Sequence, residues 1–252
     1  MRKISLKFAL FALTLLASQP LLAEPAPRER LVLTTVALPP LGSTKEGPGF
    51  LEQVAREAFR RIGLEIDVDT LPGERSLINT ESGLDDGDLM RAPGFEKAYP
   101  NLVQVPEKMG DMDFVAYTIR NDIKGPITWS RLADFTVGYT SGWKIYDRMV
   151  KAREVSKVRA IDDLFPLLDL KRVDLILIDR WQGLYAARMH GGAVRLLEPP
   201  LTSSPMFMYL NKKHAAIIPE LTRALAAMKA DGAYKRIFDA TLKPFEIRQE
   251  IR

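Results

Sequence analysis

Asp179 closes an apolar run at residues 173–178, and a carboxylate at the C-terminal end of a parallel strand faces the crevice where α/β proteins bind their ligands. Asp is also a good N-cap for a helix beginning at Trp181, so both roles stand open from the residues alone. Thr140-Ser141-Gly142 lies between a strand and a helix starting near Trp143. Backbone N–H groups and the helix dipole at such a turn can receive a carboxylate, with Gly142 allowing close approach. An ordinary turn capped by Ser141 needs no ligand. Arg91 follows Gly87-Asp88-Leu89-Met90 and precedes Ala92-Pro93-Gly94, and its guanidinium can grip a carboxylate through two parallel hydrogen bonds. Arg75 and Lys97 are rival cations, and any of the three can equally be a solvated surface charge. Among aromatic candidates for a cleft wall, Trp143, Tyr139 and Trp181, Trp143 is preferred because it adjoins the anion-receiving turn.

The chain carries no Gly-x-Ser-x-Gly elbow, no phosphate loop and no cysteine, and its two histidines, His190 and His214, are far apart in sequence. These absences argue against the common local catalytic and metal-binding motifs. His190-Gly191-Gly192 reads as a helix end stopped by glycine, and Asp85-Asp86 and Asp162-Asp163 read as caps or solvated acids. No catalytic residue, metal ligand or cofactor is expected.

Alternating elements must position these residues. Residues 31–38 form a β-branched apolar run ended by Pro39-Pro40-Leu41-Gly42; Phe50, Leu51, Val54, Ala55, Ala58, Phe59 and Ile62 share one helical face stopped by Gly63; residues 65–71 return to period two. This is a β-α-β opening. Strands are expected at 114–119, 136–139, 173–178 and 206–210, with helices at 143–153, 162–170, 181–190, 217–229 and 233–242. Continuous apolar strands alternating with helices imply a buried parallel sheet. The turn chemistry at 121–129 and the proline-punctuated stretch at 199–205 mark two crossings between two lobes.

Residues 1–23 have the layout of a secretory signal peptide, with Arg2, Lys3 and Lys7, an apolar run at 8–17, and a cleavage point after Ala23. The apolar run is too short to span a bilayer. Of the net charge of +4, three positive groups belong to this leader, which leaves +1 on the mature chain. A mixed surface of that charge gives no footprint for nucleic acid or an anionic membrane. An exported chain without cysteine is held by its core rather than by disulfides.

The order of features resembles the family 3 extracellular solute-binding proteins, the periplasmic amino-acid-binding proteins of ABC importers. The resemblance rests on Gly49-Phe50-Leu51 opening a helix that ends Arg61-Ile62-Gly63, on Gly87-Asp88, on the Val137-Gly138-Tyr139-Thr140-Ser141-Gly142 segment, on Arg172-Val173-Asp174 through Asp179, and on Asp231-Gly232-Ala233-Tyr234. It covers essentially the mature chain, in a divergent form between Leu71 and Leu102. It implies an α/β, two-lobed periplasmic-binding-protein type II fold, each lobe a sheet flanked by helices and the lobes joined by two hinge strands. Residues 28–118 plus 207–252 would form lobe 1 and 119–206 lobe 2. It also implies hinge closure over a small polar solute, with Asp179 holding its ammonium group; Arg91, Arg75, Thr140, Ser141, Gly142 and Trp143 are the further candidate ligand-binding residues read from the sequence. The expected partners are that solute and a membrane permease or sensor, for a periplasmic monomer without stable membrane insertion. A sensory role, or a dehydratase or hydrolase on the same scaffold, is the alternative.

Overall fold

The computed structural model describes residues 30–43, 47–191 and 193–246; the expected leader and its cleavage point lie outside them. The β-branched opening forms β1 (Leu31–Thr35). Helix α1 (Phe50–Arg61) buries the face carrying Phe50, Leu51, Val54, Ala55, Ala58 and Phe59, and β2 (Ile66–Thr70) pairs parallel to β1. Helix α2 (Gly73–Ser82) was not expected, because its buried face is only Ser76, Leu77 and Thr80, too little apolar character to show a helical period. Then come β3 (Gly87–Arg91), β4 (Leu102–Gln104) and β5 (Gly110–Thr118).

The second half reads β6 (Thr136–Thr140), α3 (Lys144–Met149), β7 (Glu154–Val158), α4 (Leu164–Asp169), β8 (Leu175–Asp179) and α5 (Arg180–His190). Helix α3 stops at Met149, shorter than its pattern suggested, because Val150 is already extended and leads toward the unforeseen edge strand β7. The 17-residue β9 (Arg195–Asn211) is followed by α6 (Ile218–Ala230) and α7 (Ala233–Thr241). Where the sequence shows a break at 199–205, β9 continues through Pro199, Pro200 and Pro205. The first two prolines fall in the register shift of the β5–β9 ladder, between Leu197 and Thr202, where no regular ladder donor is required.

One nine-stranded sheet runs β2-β1-β3-β9-β5-β8-β6-β7, with β4 also paired to β9. Its first half is parallel at β2-β1-β3 and closes antiparallel on the C-terminal part of β9. The second half is parallel at β8-β6-β7 and antiparallel at β9-β5-β8. The long strands β5 and β9 therefore belong to both halves. Beneath the first half α1, α6 and α7 pack on Leu33, Leu89, Met208 and Leu210. The second half has a core on each face, one around Phe114, Tyr139 and Tyr146 and the other around Val115, Tyr117 and Ile176. Each fully buried side chain of this size contributes about 1.5–3 kcal/mol. Met109 packs in the first core and Met112 in the second, so β5 changes core near Gly110. The result is the α/β, two-lobed architecture that the sequence implied.

Candidate functional site

In parallel sheets the crevice lies at the C-terminal strand ends, here Thr35 of β1 and Asp179 of β8. Between the two halves, a cavity of about 410 Å³ opens against Phe50 at the start of α1 and Arg180 and Trp181 at the start of α5, with Gly110 of β5 and Met206 of β9 also in its wall. A second, more open recess of about 580 Å³ lies between Pro40 and Pro48, Tyr185 and Arg188 of α5, and Phe245.

Charges in the cavity wall are paired. The Arg180 guanidinium reaches Asp113 at 2.8 Å and Glu198 at 3.0 Å, bonds that hold it above its ordinary pKa, Glu198 first. Lys108 pairs with Asp111 at 2.6 Å, and Lys229 pairs with Glu107 and donates to the Lys108 carbonyl at 2.6 Å. Burial pushes the Tyr234 hydroxyl up to about 12, and it donates to the Met109 carbonyl at 2.9 Å.

Asp179, next in the chain to Arg180, is completely buried. One oxygen caps α5, accepting from the backbone N–H groups of Trp181 at 3.0 Å and Gln182 at 3.1 Å. Its Oδ2 has no hydrogen-bond partner. Burial outweighs the two helix N–H bonds and raises the acid to about 7, with Asp113 adding to the rise and Arg180 opposing it. Tyr146 Oη and both side-chain polar atoms of Gln182 are likewise buried without partners, as is Thr35 Oγ1 across the crevice. Tyr146 is pushed well above its ordinary value by burial and then by the Asp179 charge. Buried polar groups are normally paired, so unpartnered groups at Asp179, Gln182 and Tyr146 together are unusual.

Of the two roles weighed for Asp179, the geometry shows the cap, made by Oδ1, while Oδ2 is buried without a hydrogen-bond partner. The other expected site residues are placed differently. Arg91 ends β3 half-buried and committed to Asp88, with its Nε at 2.8 Å, and to the Gly73 carbonyl at 2.7 Å. Asp88 in turn accepts from Ser76, whose hydroxyl is 2.6 Å from that of Thr34. The guanidinium is therefore engaged inside the first half, its partner Asp88 only 2% exposed. Arg75 stands exposed on the first turn of α2. Thr140 ends β6, and the Ser141 N–H is engaged by the Val158 carbonyl at 2.8 Å. Trp143, not Ser141, occupies the N-cap of α3. Gly142 does take the left-handed conformation, φ +93°, that suits glycine.

Trp143 packs on Phe114 and Tyr146 at 5.9 and 6.1 Å, in the core against which Leu38, Met90 and Ala92 of the first half also pack. The 410 Å³ cavity instead takes Trp181. Arg180 and Gln182 were not singled out in the sequence, although their position directly after Asp179 was the available signal: an Asp-x-x-Gln helix start resembles a capping box.

No protein-family model matches the chain, and a comparison with curated proteins likewise finds no match. Solved structures do match. The chain is similar to an ancestral arginine-binding protein bound to arginine, at 20% identity and a TM-score of 0.66, covering 85% of this chain and 98% of that one. It is similar to a histidine kinase sensor domain with similarity to periplasmic binding proteins, at 14% identity and 0.68, covering 85% and 96%. An ancestral amino acid-binding protein, a precursor of cyclohexadienyl dehydratase, matches at 16% identity and 0.67, covering 84% and 95%. These likenesses establish the two-lobed fold of the amino-acid-binding proteins, the architecture implied by the sequence resemblance.

Proposed function

We propose that the chain is an exported periplasmic solute receptor, a non-enzymatic protein whose lobes close over a small amino-acid-like solute and present the closed form to a membrane permease. The single observation that carries this reading is the buried, unpartnered Oδ2 of Asp179 at the crevice end of β8. A solute ammonium group brings positive charge and several N–H donors to that oxygen, and so offsets the cost of burying the carboxylate. The lobes divide where β5 and β9 pass from one core to the other, residues 30–109 plus 207–246 and 110–206. Closure is stabilised only as far as the solute binds the closed state better than the open one.

The test is a thermal-shift screen of the protein from Glu24 onward against amino acids, polyamines and small organic acids, followed by calorimetry on the compound found. Losing the charge in Asp179→Asn is expected to weaken that binding by about 2–5 kcal/mol. Unchanged affinity in a folded Asp179→Asn protein removes Asp179 from the site and with it the preference for an ammonium-bearing solute. The likeness to a histidine kinase sensor domain supports a second reading in which the closed form is read by a membrane sensor.

A further inference from the structure

The cavity wall differs in kind from the polar strand ends around Asp179. Four aromatic rings form a chain across it: Trp181 meets Phe238 at 5.4 Å, Phe238 meets Phe50 at 6.2 Å, and Phe50 meets Tyr234 at 5.3 Å, each edge to face. Trp181 comes from the second half and the other three from the first, so the chain of rings bridges the two lobes. Met90 and Met206 add flexible thioether side chains, which adapt to irregular apolar shapes and make favourable contacts with aromatic rings.

Every charged group in this wall already has an opposite partner: Arg180 has Asp113 and Glu198, Lys108 has Asp111, and Lys229 has Glu107. A solute carboxylate entering the cavity would have to displace one of these acids from its cation, whereas an apolar group would gain burial without disturbing any pair. Lys229 also lies 5.4 Å from the Tyr234 ring, which leaves that ring poorly suited to a second cation. The volume of about 410 Å³ falls within the range of small-molecule sites.

Resting on the receptor reading above, we propose that the solute carries an aromatic or branched apolar side chain, and that this side chain seats in the chamber bounded by Phe50, Trp181, Met90, Met206, Tyr234 and Phe238. The ring chain makes the apolar group a bridge between the lobes, so its burial favours the closed form directly. Small polar solutes with the same ammonium head leave the chamber unfilled and gain none of this.

Gly110 gives a direct test. A Cβ built there meets only the Tyr234 hydroxyl at 3.4 Å and the Phe50 ring at 3.9 Å, ordinary contacts, and its backbone is part of strand β5. Gly110→Val therefore places methyl groups into the chamber without a backbone clash. Calorimetry is run with phenylalanine, tryptophan, leucine and phenethylamine beside glycine, serine and putrescine. At least tenfold tighter binding of the apolar members is expected, and Gly110→Val should weaken those members tenfold or more while its melting temperature stays near wild type. If Gly110→Val fails to fold, Met90→Phe adds ring volume to the same chamber.

Polar members binding as tightly as the apolar ones overturns the inference and leaves the receptor reading standing. So does undiminished binding of the apolar members in a folded, chamber-filled variant. Binding by no member of the series also overturns it, and the wider thermal-shift screen then decides the receptor reading separately.

Discussion

At the scale of the residue, Asp179 combines a helix cap with a buried acid. Its carboxyl moves from 3.8 to about 7 because burial outweighs the two helix N–H bonds it accepts. The folded protein therefore binds this proton more tightly than the unfolded chain does. The stability this adds is full below about pH 4 and is lost as pH rises through about 7, at about 1.4 kcal/mol per pH unit in between. Asn keeps the capping oxygen and cannot ionise. Denaturation at pH 5 and pH 8 should thus show wild type losing on the order of 3 kcal/mol relative to Asp179→Asn; parallel pH dependences would show that the site does not hold the proton. Binding a cationic head selects the ionised carboxylate, so solute affinity should rise with pH up to about 7 and then level.

Among the elements, α5 is seated closely against the sheet. Gly183 lies so close to the sheet that a Cβ there would meet the Tyr117 ring at 2.2 Å. That ring cannot easily retreat, since Tyr117 is fully buried and its hydroxyl donates to the Arg180 carbonyl at 2.7 Å. Gly183→Ala is expected to destabilise the protein by about 1–3 kcal/mol or more, as overpacking of a dense core does. In the Tyr117→Leu background the same change should cost clearly less, a coupling that a double-mutant cycle measures by chemical denaturation. Equal costs in both backgrounds would mean that the helix shifts as a body rather than resting on this ring. The position matters for the site because α5 carries Arg180, Trp181 and Gln182 and is capped by Asp179.

For the whole molecule, β5 and β9 carry the chain between the halves, and the C-terminal segment adds a clasp between them. Tyr185 of α5 packs on Phe245 at 5.2 Å, and Arg188 donates to the Pro244 carbonyl at 2.7 Å while lying 5.5 Å from the Phe245 ring. With the Trp181–Phe238 contact, these hold the second-half helix against the end of the first. Phe245→Ala removes the ring and leaves the hinge strands untouched. Small-angle scattering without solute should then show a larger radius of gyration than wild type, and solute affinity should fall because closure starts from a more open population. An unchanged radius would place the resistance to opening in β5 and β9 themselves.

The sequence by itself determined the elements whose periods are strong: the β-α-β opening, the apolar strand ending at Asp179, the helix after it, and hence an α/β protein with a crevice at that strand end. Local patterning is sufficient there because the buried face of an element is written in consecutive residues. Helix α2 and strand β7 were illegible because their buried faces are largely polar or edge-exposed, and the part of β9 ahead of residue 206 was hidden by prolines, two of which fall at a register shift. Only the tertiary structure decided which charges meet. Arg91 is taken by Asp88 and the Gly73 carbonyl, Arg180 by Asp113 and Glu198, and Trp181 rather than Trp143 lines the cavity between the halves. Arg180 and Asp113 are 67 residues apart in the chain, and no local propensity encodes an encounter that depends on how the two sheet halves are laid side by side.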